Sequence, residues 1–187
     1  MRSIGLVTLA ALSVAVARPA SGQVSFDVGG LYVSLSGTDF NGVNAGIGVD
    51  GQVRFRLLPS AITLGIGGQY TTHAVDGVDP NFNVWGVFVE PRYGLPSGAS
   101  PIKPYLAARG AYLHQSITQG ANAASADGFL IAGGGGLLVG LGGMKLDIGV
   151  LFGLANFGEI QLNGSGTGVK PNGTAVALRL GLVFGGP

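Results

Sequence analysis

Apolar residues alternate with small or polar ones through most of this chain. A period of two permits little besides strands whose two faces meet different surroundings. Ala45, Ile47, Val49, Val53, Phe55 and Leu57 alternate with Asn44, Gly46, Gly48, Asp50, Gln52, Arg54 and Arg56. In the next segment Ile62, Leu64, Ile66 and Tyr70 take one face, and Thr63, Gly65, Gly67, Gln69 and Thr71 the other. Leu146, Ile148, Val150, Phe152 and Leu154 oppose Lys145, Asp147, Gly149, Gly153 and Ala155, while Val176, Leu178, Leu180, Leu182 and Phe184 oppose Ala175, Ala177, Arg179 and Gly181. Val24 to Leu35, Phe82 to Leu95, Lys103 to Gln115 and Asp127 to Gly140 follow the same rule less regularly. The pattern predicts eight strands, an even number. The spacers between them alternate between longer and shorter, as expected where short turns lie on one side of a membrane and longer loops on the other.

Register is tested by the charges, since a slip of one residue would turn a charge onto the apolar face. Asp27, Asp50, Arg54, Arg56, Glu90, Arg92, Lys103, Arg109, Lys145, Asp147 and Arg179 all share the glycine-rich parity. Which face lies inside is decided by composition. Only 10% of the residues are charged and 36 of 187 are glycine, against roughly 25% charged and about 7% glycine in an ordinary soluble domain. A surface of Gly, Ala, Thr and a few ions would cover a soluble barrel poorly but fits a narrow lumen. The bulky parity then faces lipid. Its aromatics support this: Phe26, Phe55, Tyr93 and Phe184 are placed near one rim, and Tyr70, Trp85, Tyr112 and Phe129 near the other, as interfacial girdles.

The first 22 residues read as an export signal outside the fold. Met1-Arg2 is basic, Ile4 to Ala17 is apolar, and Ala20-Ser21-Gly22 is a small-residue cleavage site. One barrel domain is expected over residues 23–187. Without Arg2 and Arg18, the ten basic residues become eight against nine acidic ones, a net charge of −1 that disfavours nucleic acid as a partner. The chain has no cysteine, which removes disulfides and thiol chemistry.

With its export signal and glycine-rich alternation, the chain resembles the outer-membrane protein β-barrel domain family, the OmpA/OmpX-like small barrels. Glu90-Pro91-Arg92-Tyr93 and Lys103-Pro104-Tyr105-Leu106 carry the resemblance further. It implies an all-β, eight-stranded antiparallel up-and-down transmembrane β-barrel in a Gram-negative outer membrane, with both termini periplasmic and four loops outside. The implied partners are outer-membrane lipid, lipopolysaccharide and the outer-membrane assembly machinery, and the barrel is expected to be a monomer. One departure is that Gly185-Gly186-Pro187 follows Phe184, where such barrels end on an aromatic.

The chemical motifs are sparse. Gly46 to Gly51 matches G-x-G-x-x-G, but it lies within a strand instead of between a strand and a helix, so no cofactor is expected. Gly133 to Gly136 reads as a strand relieved of crowding or free to bend. Asn163-Gly164-Ser165 and Asn172-Gly173-Thr174 read as turns in the last long loop. His73, Asp76 and Asp79 read as a solvated loop, with a weak cation site as the alternative. His114 and Ser116 share one strand face; with Asp127 on the adjoining strand they form a possible acyl-transfer set. That pattern is similar to the lipid A deacylase barrels, although Ile117 stands where that family has an asparagine. Asp27, Asp50, Arg54, Arg56, Glu90, Arg92, Arg109, Lys145, Asp147 and Arg179 are expected to form a salt-bridged lumen. The glycines at 46, 48, 65, 67, 134 and 136 leave open a narrow water path. The leading functional expectation is a non-enzymatic barrel acting in envelope structure or through its outer loops. A passive small-solute channel and a lipid A deacylase-like enzyme are the alternatives.

Overall fold

The computed structural model describes residues 24–57, 61–120 and 122–186, the side chains of 78–80 excepted; the expected export signal lies outside them. Eight long strands carry the fold: β1 Val24–Ser36, β2 Gly46–Leu57, β3 Ile62–Val75, β4 Val78–Gly94, β5 Ile102–Gln119, β6 Asn122–Gly140, β7 Met144–Phe157 and β10 Asn172–Gly185. Each pairs antiparallel with its chain neighbours, and β1 pairs with β10, which closes the sheet into a barrel without an edge. Two short strands, β8 Gln161–Leu162 and β9 Ser165–Gly166, form a hairpin in the last loop, where β8 adds to the end of β6. Asn163 (φ 49°) and Gly164 (φ 83°) make its turn, since both central positions need the left-handed region. Asn172-Gly173, also expected to be a turn, instead opens β10.

The expected parity is the observed one, and the barrel is inverted relative to a soluble protein. Asp27, Asp50, Arg54, Glu90, Arg92, Arg109, Asp147 and Arg179 are buried, while Ile47, Ile66, Val87, Ile131, Leu154 and Leu180 are more than half exposed. All eight girdle aromatics point outward, from Tyr112 at 38% exposed to Phe129 at 64%. Such a continuous apolar exterior far exceeds the patches a monomeric soluble protein tolerates. Strands cross where helices do not: no helix among the described residues is long and apolar enough to span a membrane.

The spacer lengths differ from the sequence reading. At the end opposite the termini, β3 and β4 continue until only Asp76 and Gly77 lie between them, and β5 and β6 until Gln119 pairs with Asn122. Beyond the lipid belt both faces of a strand are polar, so the alternation fades while backbone pairing continues. His73 accordingly lies on β3, turned inward and buried, within 3.1 Å of the Asn44 carbonyl oxygen and of Thr71 Oγ1. Asp76 accepts from the Asn44 amide at 2.9 Å, and no group of three or more metal-ligating side chains occurs among the described residues.

Nor do the inward glycines leave open space. A Cβ at Gly67 would lie 2.6 Å from Gln52 Cβ and 2.8 Å from Phe88, and one at Gly136 would lie 2.5 Å from the Tyr105 hydroxyl. Glycine is needed there so that large side chains from the facing strands fit across a narrow bore. At Gly134, Gly135 and Gly136 the missing side chains relieve crowding within a continuous β6.

Ile66 lies midway between Ile62, paired with Tyr93, and Tyr70, paired with Trp85. An arginine there would sit at mid-depth in lipid, at a cost of about 2–4 kcal/mol. Ile66→Arg is expected to lower the stability of the bilayer-inserted protein by that amount in urea titration, whereas Ala61→Arg, at the exposed turn, is expected to leave it nearly unchanged.

Candidate functional site: the lumen and its two ends

β5 shows the lumen in order. From the terminal end its inward residues run Lys103, Tyr105, Ala107, Arg109, Ala111, Leu113 and Gln115, passing from a wet mouth through a charged middle to an apolar upper layer.

The middle is a closed ring of alternating charge. Glu90 accepts from Arg92 Nε at 2.7 Å, and Arg92 Nη1 reaches Asp147 Oδ2 at 2.8 Å. Asp147 pairs with Arg179, whose Nε bonds Asp50 Oδ1 at 2.8 Å. Arg109 links Asp50 at 3.1 Å back to Glu90 at 2.7 Å. Arg54 branches from the ring, bridging Glu90 at 2.9 Å and Asp27 at 3.3 Å. Four guanidinium groups thus meet four carboxylates, and the set is neutral. Its side chains are at most 7% exposed, where an unpartnered ion would cost several kcal/mol. Six strands supply the eight residues. β3 adds acceptors, with Gln69 Oε1 taking a bond from Arg109 at 3.0 Å and Thr63 Oγ1 one from Arg54 at 3.3 Å.

Eight of the ten residues expected in the lumen network are in it. Arg56 and Lys145 share the parity but lie lower, lining the terminal mouth with Lys103. Besides Gln69 and Thr63, the sequence reading missed three contributors. Tyr105 donates to Asp147 Oδ1 at 2.6 Å, and its ring lies 4.3 Å from the Arg92 guanidinium carbon. Phe88 lies under Arg109 at 3.9 Å. Gln52 Oε1 accepts from Arg54 at 2.8 Å. Parity alone could have placed all three inside, but it could not have named their partners.

Above the ring the lumen is mostly apolar, although it also buries Thr71, His73 and Gln115. Val84, Phe88, Ala111, Leu113, Leu130 and Phe157 cluster there with Phe40 from the short helix Thr38–Phe40 in the first loop. Phe40 packs edge-on to Phe157 with ring centroids 6.2 Å apart. Gly173 makes this seat possible, since a Cβ there would lie 2.7 Å from the Phe40 ring. Asp39 holds the loop down by accepting from the Asn172 N–H at 3.0 Å. Beside the ring the void measures about 20 Å³, room for about one water.

The third arrangement is on the outer wall. His114 and Asp127 are register partners across β5 and β6, with His114 Nδ1 2.7 Å from Asp127 Oδ1. The histidine ring lies 5.3 Å from Trp85, at the upper edge of the apolar belt. Ser116 is two residues on, on the same face and opposite Asn83 of β4. The structure brings His114 and Asp127 together but gives no hydrogen bond between His114 and Ser116 among the described residues.

Neither a protein-family model nor a curated protein matches this sequence. Solved structures match its fold. Neisserial surface protein A superposes with a TM-score of 0.70 at 15% identity, over 89% of this chain and 99% of that one. A major outer membrane protein from Thermus thermophilus superposes with a TM-score of 0.51 at 13% identity, over 86% of this chain and 98% of that one. The fold is therefore the closed eight-stranded antiparallel barrel of small outer-membrane proteins.

Asp147 is fully buried and touches two ring arginines and Tyr105. Asp147→Asn removes one of the four buried negative charges, leaving Arg92 with Glu90 and Arg179 with Asp50 and the network with an uncompensated positive charge, with an expected loss of about 3–5 kcal/mol. The temperature at which the folded gel band converts to the unfolded one is expected to fall sharply, while Asp76→Asn, in the exposed turn, leaves it in place.

Proposed function

We propose that this chain is an integral outer-membrane protein that acts in the envelope without chemistry of its own, as a rigid wall element and through its loop end. The observation that carries this reading is the sealed lumen. An apolar cap of Phe40 and Phe157 lies over a neutral ring, and side chains fill the bore that an eight-stranded barrel leaves. A sugar or peptide has no route through, which weighs against the small-solute channel.

In this orientation the termini and the β2–β3, β4–β5 and β6–β7 connections face the periplasm, and the first and last loops face outward with the tight β3–β4 and β5–β6 turns. The last loop, with its β8–β9 hairpin, is the largest outer feature. The Thr167 N–H donates to the Ile160 carbonyl at 3.0 Å, the Ile160 N–H donates to the Val169 carbonyl at 2.8 Å, and Glu159 accepts from the Gly168 N–H at 2.5 Å. Loop residues positioned on a rigid scaffold are where binding usually resides, and lipopolysaccharide is the neighbour that this loop meets first.

The His114–Asp127 bond at 2.7 Å favours one second reading, acyl-ester hydrolysis at the lipid-facing wall. Asp127 would orient the imidazole, which would take the Ser116 proton as the hydroxyl attacks an ester carbonyl. Asn83, opposite Ser116, has its side-chain oxygen occupied by the Tyr70 hydroxyl at 2.9 Å and keeps its amide hydrogens for an oxyanion.

Two measurements test these readings. In planar bilayers the purified protein is expected to show no sustained porin-level conductance; steady openings of that size would overturn the sealed-wall reading. Incubated with purified lipopolysaccharide, it is expected to leave the lipid A mass unchanged. Loss of one acyl chain, abolished by Ser116→Ala, would establish the second reading in its place.

A further inference from the structure

We propose that the first outer loop is an acid-released cap and that His73 is its trigger. The loop between β1 and β2 closes the apolar layer of the lumen, with Phe40 seated against Phe157. It is fastened to the start of β10 by Asp39, and to the β3–β4 hairpin on its other side. There the Asn44 N–H donates to the Ala74 carbonyl and the Asp76 N–H to the Gly42 carbonyl, both at 2.9 Å. His73 belongs to this second fastening through its bond to the Asn44 carbonyl. It is fully buried, with its ring edge-on to Phe82 at 5.7 Å. Gly46 makes room for it, since a Cβ there would lie 2.6 Å from the ring.

The neighbours of the ring fit one protonation state. The Asn44 carbonyl only accepts, so Nδ1 carries the proton, and Nε2 takes its bond from the Thr71 hydroxyl. A second proton keeps the first bond and breaks the other, because Nε2 then donates and the buried Thr71 hydroxyl must turn away. The added charge also meets no counter-ion, since His73 makes no ion pair with a described residue. Beyond it on the hairpin, Asp76 is taken by the Asn44 amide, and in the first loop Asp39 is taken by the Asn172 N–H. Among the described side chains, β2 and β4 carry their charges lower: Asp50, Arg54 and Arg56 on one, Glu90 and Arg92 on the other. From β5 the uncharged Gln115 faces inward, level with Thr71. Burial without a counter-charge disfavours the imidazolium, whereas under a lifted loop the ring meets water and titrates near the ordinary histidine value of about 6.5. The closed cap therefore keeps its full stability above about pH 6.5 and loses it below, the open-to-closed ratio rising by up to about tenfold per pH unit. Opening uncovers Val84, Leu113 and Phe157 while the charge ring beneath stays shut, so the inference goes beyond the sealed-wall reading and needs no channel.

The chain has two histidines and no cysteine, so one introduced thiol reports the loop, and a histidine transition has two candidate side chains. A nitroxide is attached to Asn41→Cys, an exposed loop position, in phosphatidylcholine vesicles. The ratio of mobile to immobile signal is expected to rise about tenfold between about pH 7.5 and about pH 5. His73→Gln keeps a donor and an acceptor but cannot titrate, and is expected to abolish the rise; His114→Gln, on the outer wall, is expected to retain it. If His73→Gln lacks the heat-modifiable band of a folded barrel, the two histidine ring signals of the parent chain are followed by NMR instead. The His114 signal is identified by its loss in His114→Gln, and the other is expected to move with the label transition. An unchanged Asn41 signal over this range, a rise that survives His73→Gln, or one that follows the His114 signal would overturn the trigger. Conductance recorded at both pH values keeps the two readings apart. Loop release across a sealed bilayer supports both, while release with sustained porin-level conductance supports the cap and overturns the sealed wall.

Discussion

A ring of alternating charge closed across the lumen is the interaction on which the rest of this barrel depends. Burying one ion is costly, and burying eight is tolerable only because each carboxylate meets an arginine and the whole is neutral. Glu90, within 3 Å of three guanidinium groups, is the joint where the branch meets the ring. The ring and its branch span six strands, so they fix the strand spacing from within, while hydrogen bonds fix it around the wall. It also requires the glycines. Tyr105 reaches Asp147 because Gly136 and Gly149 leave its hydroxyl room; a Cβ at either would lie within 2.7 Å of it.

Much of this was legible in the sequence because the physics is periodic. A strand between lipid and a polar lumen must alternate, and the charges within the lipid belt had one permitted parity, which Asp127, at the belt's upper edge, does not share. The girdle aromatics, from Phe26 to Phe184, followed from the same rule. The pairing within the ring was not legible, since parity says that Arg92 and Asp147 point inward but not that they meet. Phe40 was missed because it comes from a loop, where no period operates. The lengths of β3 to β6 were underestimated for a related reason: outside the lipid belt the two faces no longer differ. The inward glycines were read as room for water because absent side chains were counted and the neighbours that fill their space were not.

The two ends of the lumen differ in kind. One is closed by aromatic rings under a latched loop, and the other opens into a cavity of about 420 Å³. Transport needs two connected openings, and among the described residues the lumen opens at one end. On the reading proposed above, the features that would act are the outer hairpin and the His114–Asp127 pair on the wall.

The central claim is that apolar side chains meet acyl chains while the ring faces inward. The chain has no cysteine, so a single introduced thiol labels one site. Nitroxide labels placed in turn at Ile62, Thr63, Ile66, Gln69 and Tyr70 of β3, in phosphatidylcholine vesicles, measure collisions with oxygen and with a water-soluble nickel chelate. The account predicts high oxygen collision rates at 62, 66 and 70, lower rates at 63 and 69, and little contact with nickel at 66. Strong nickel contact at 66 together with shielding at 63 and 69 would mean that the apolar face meets water, and would contradict it.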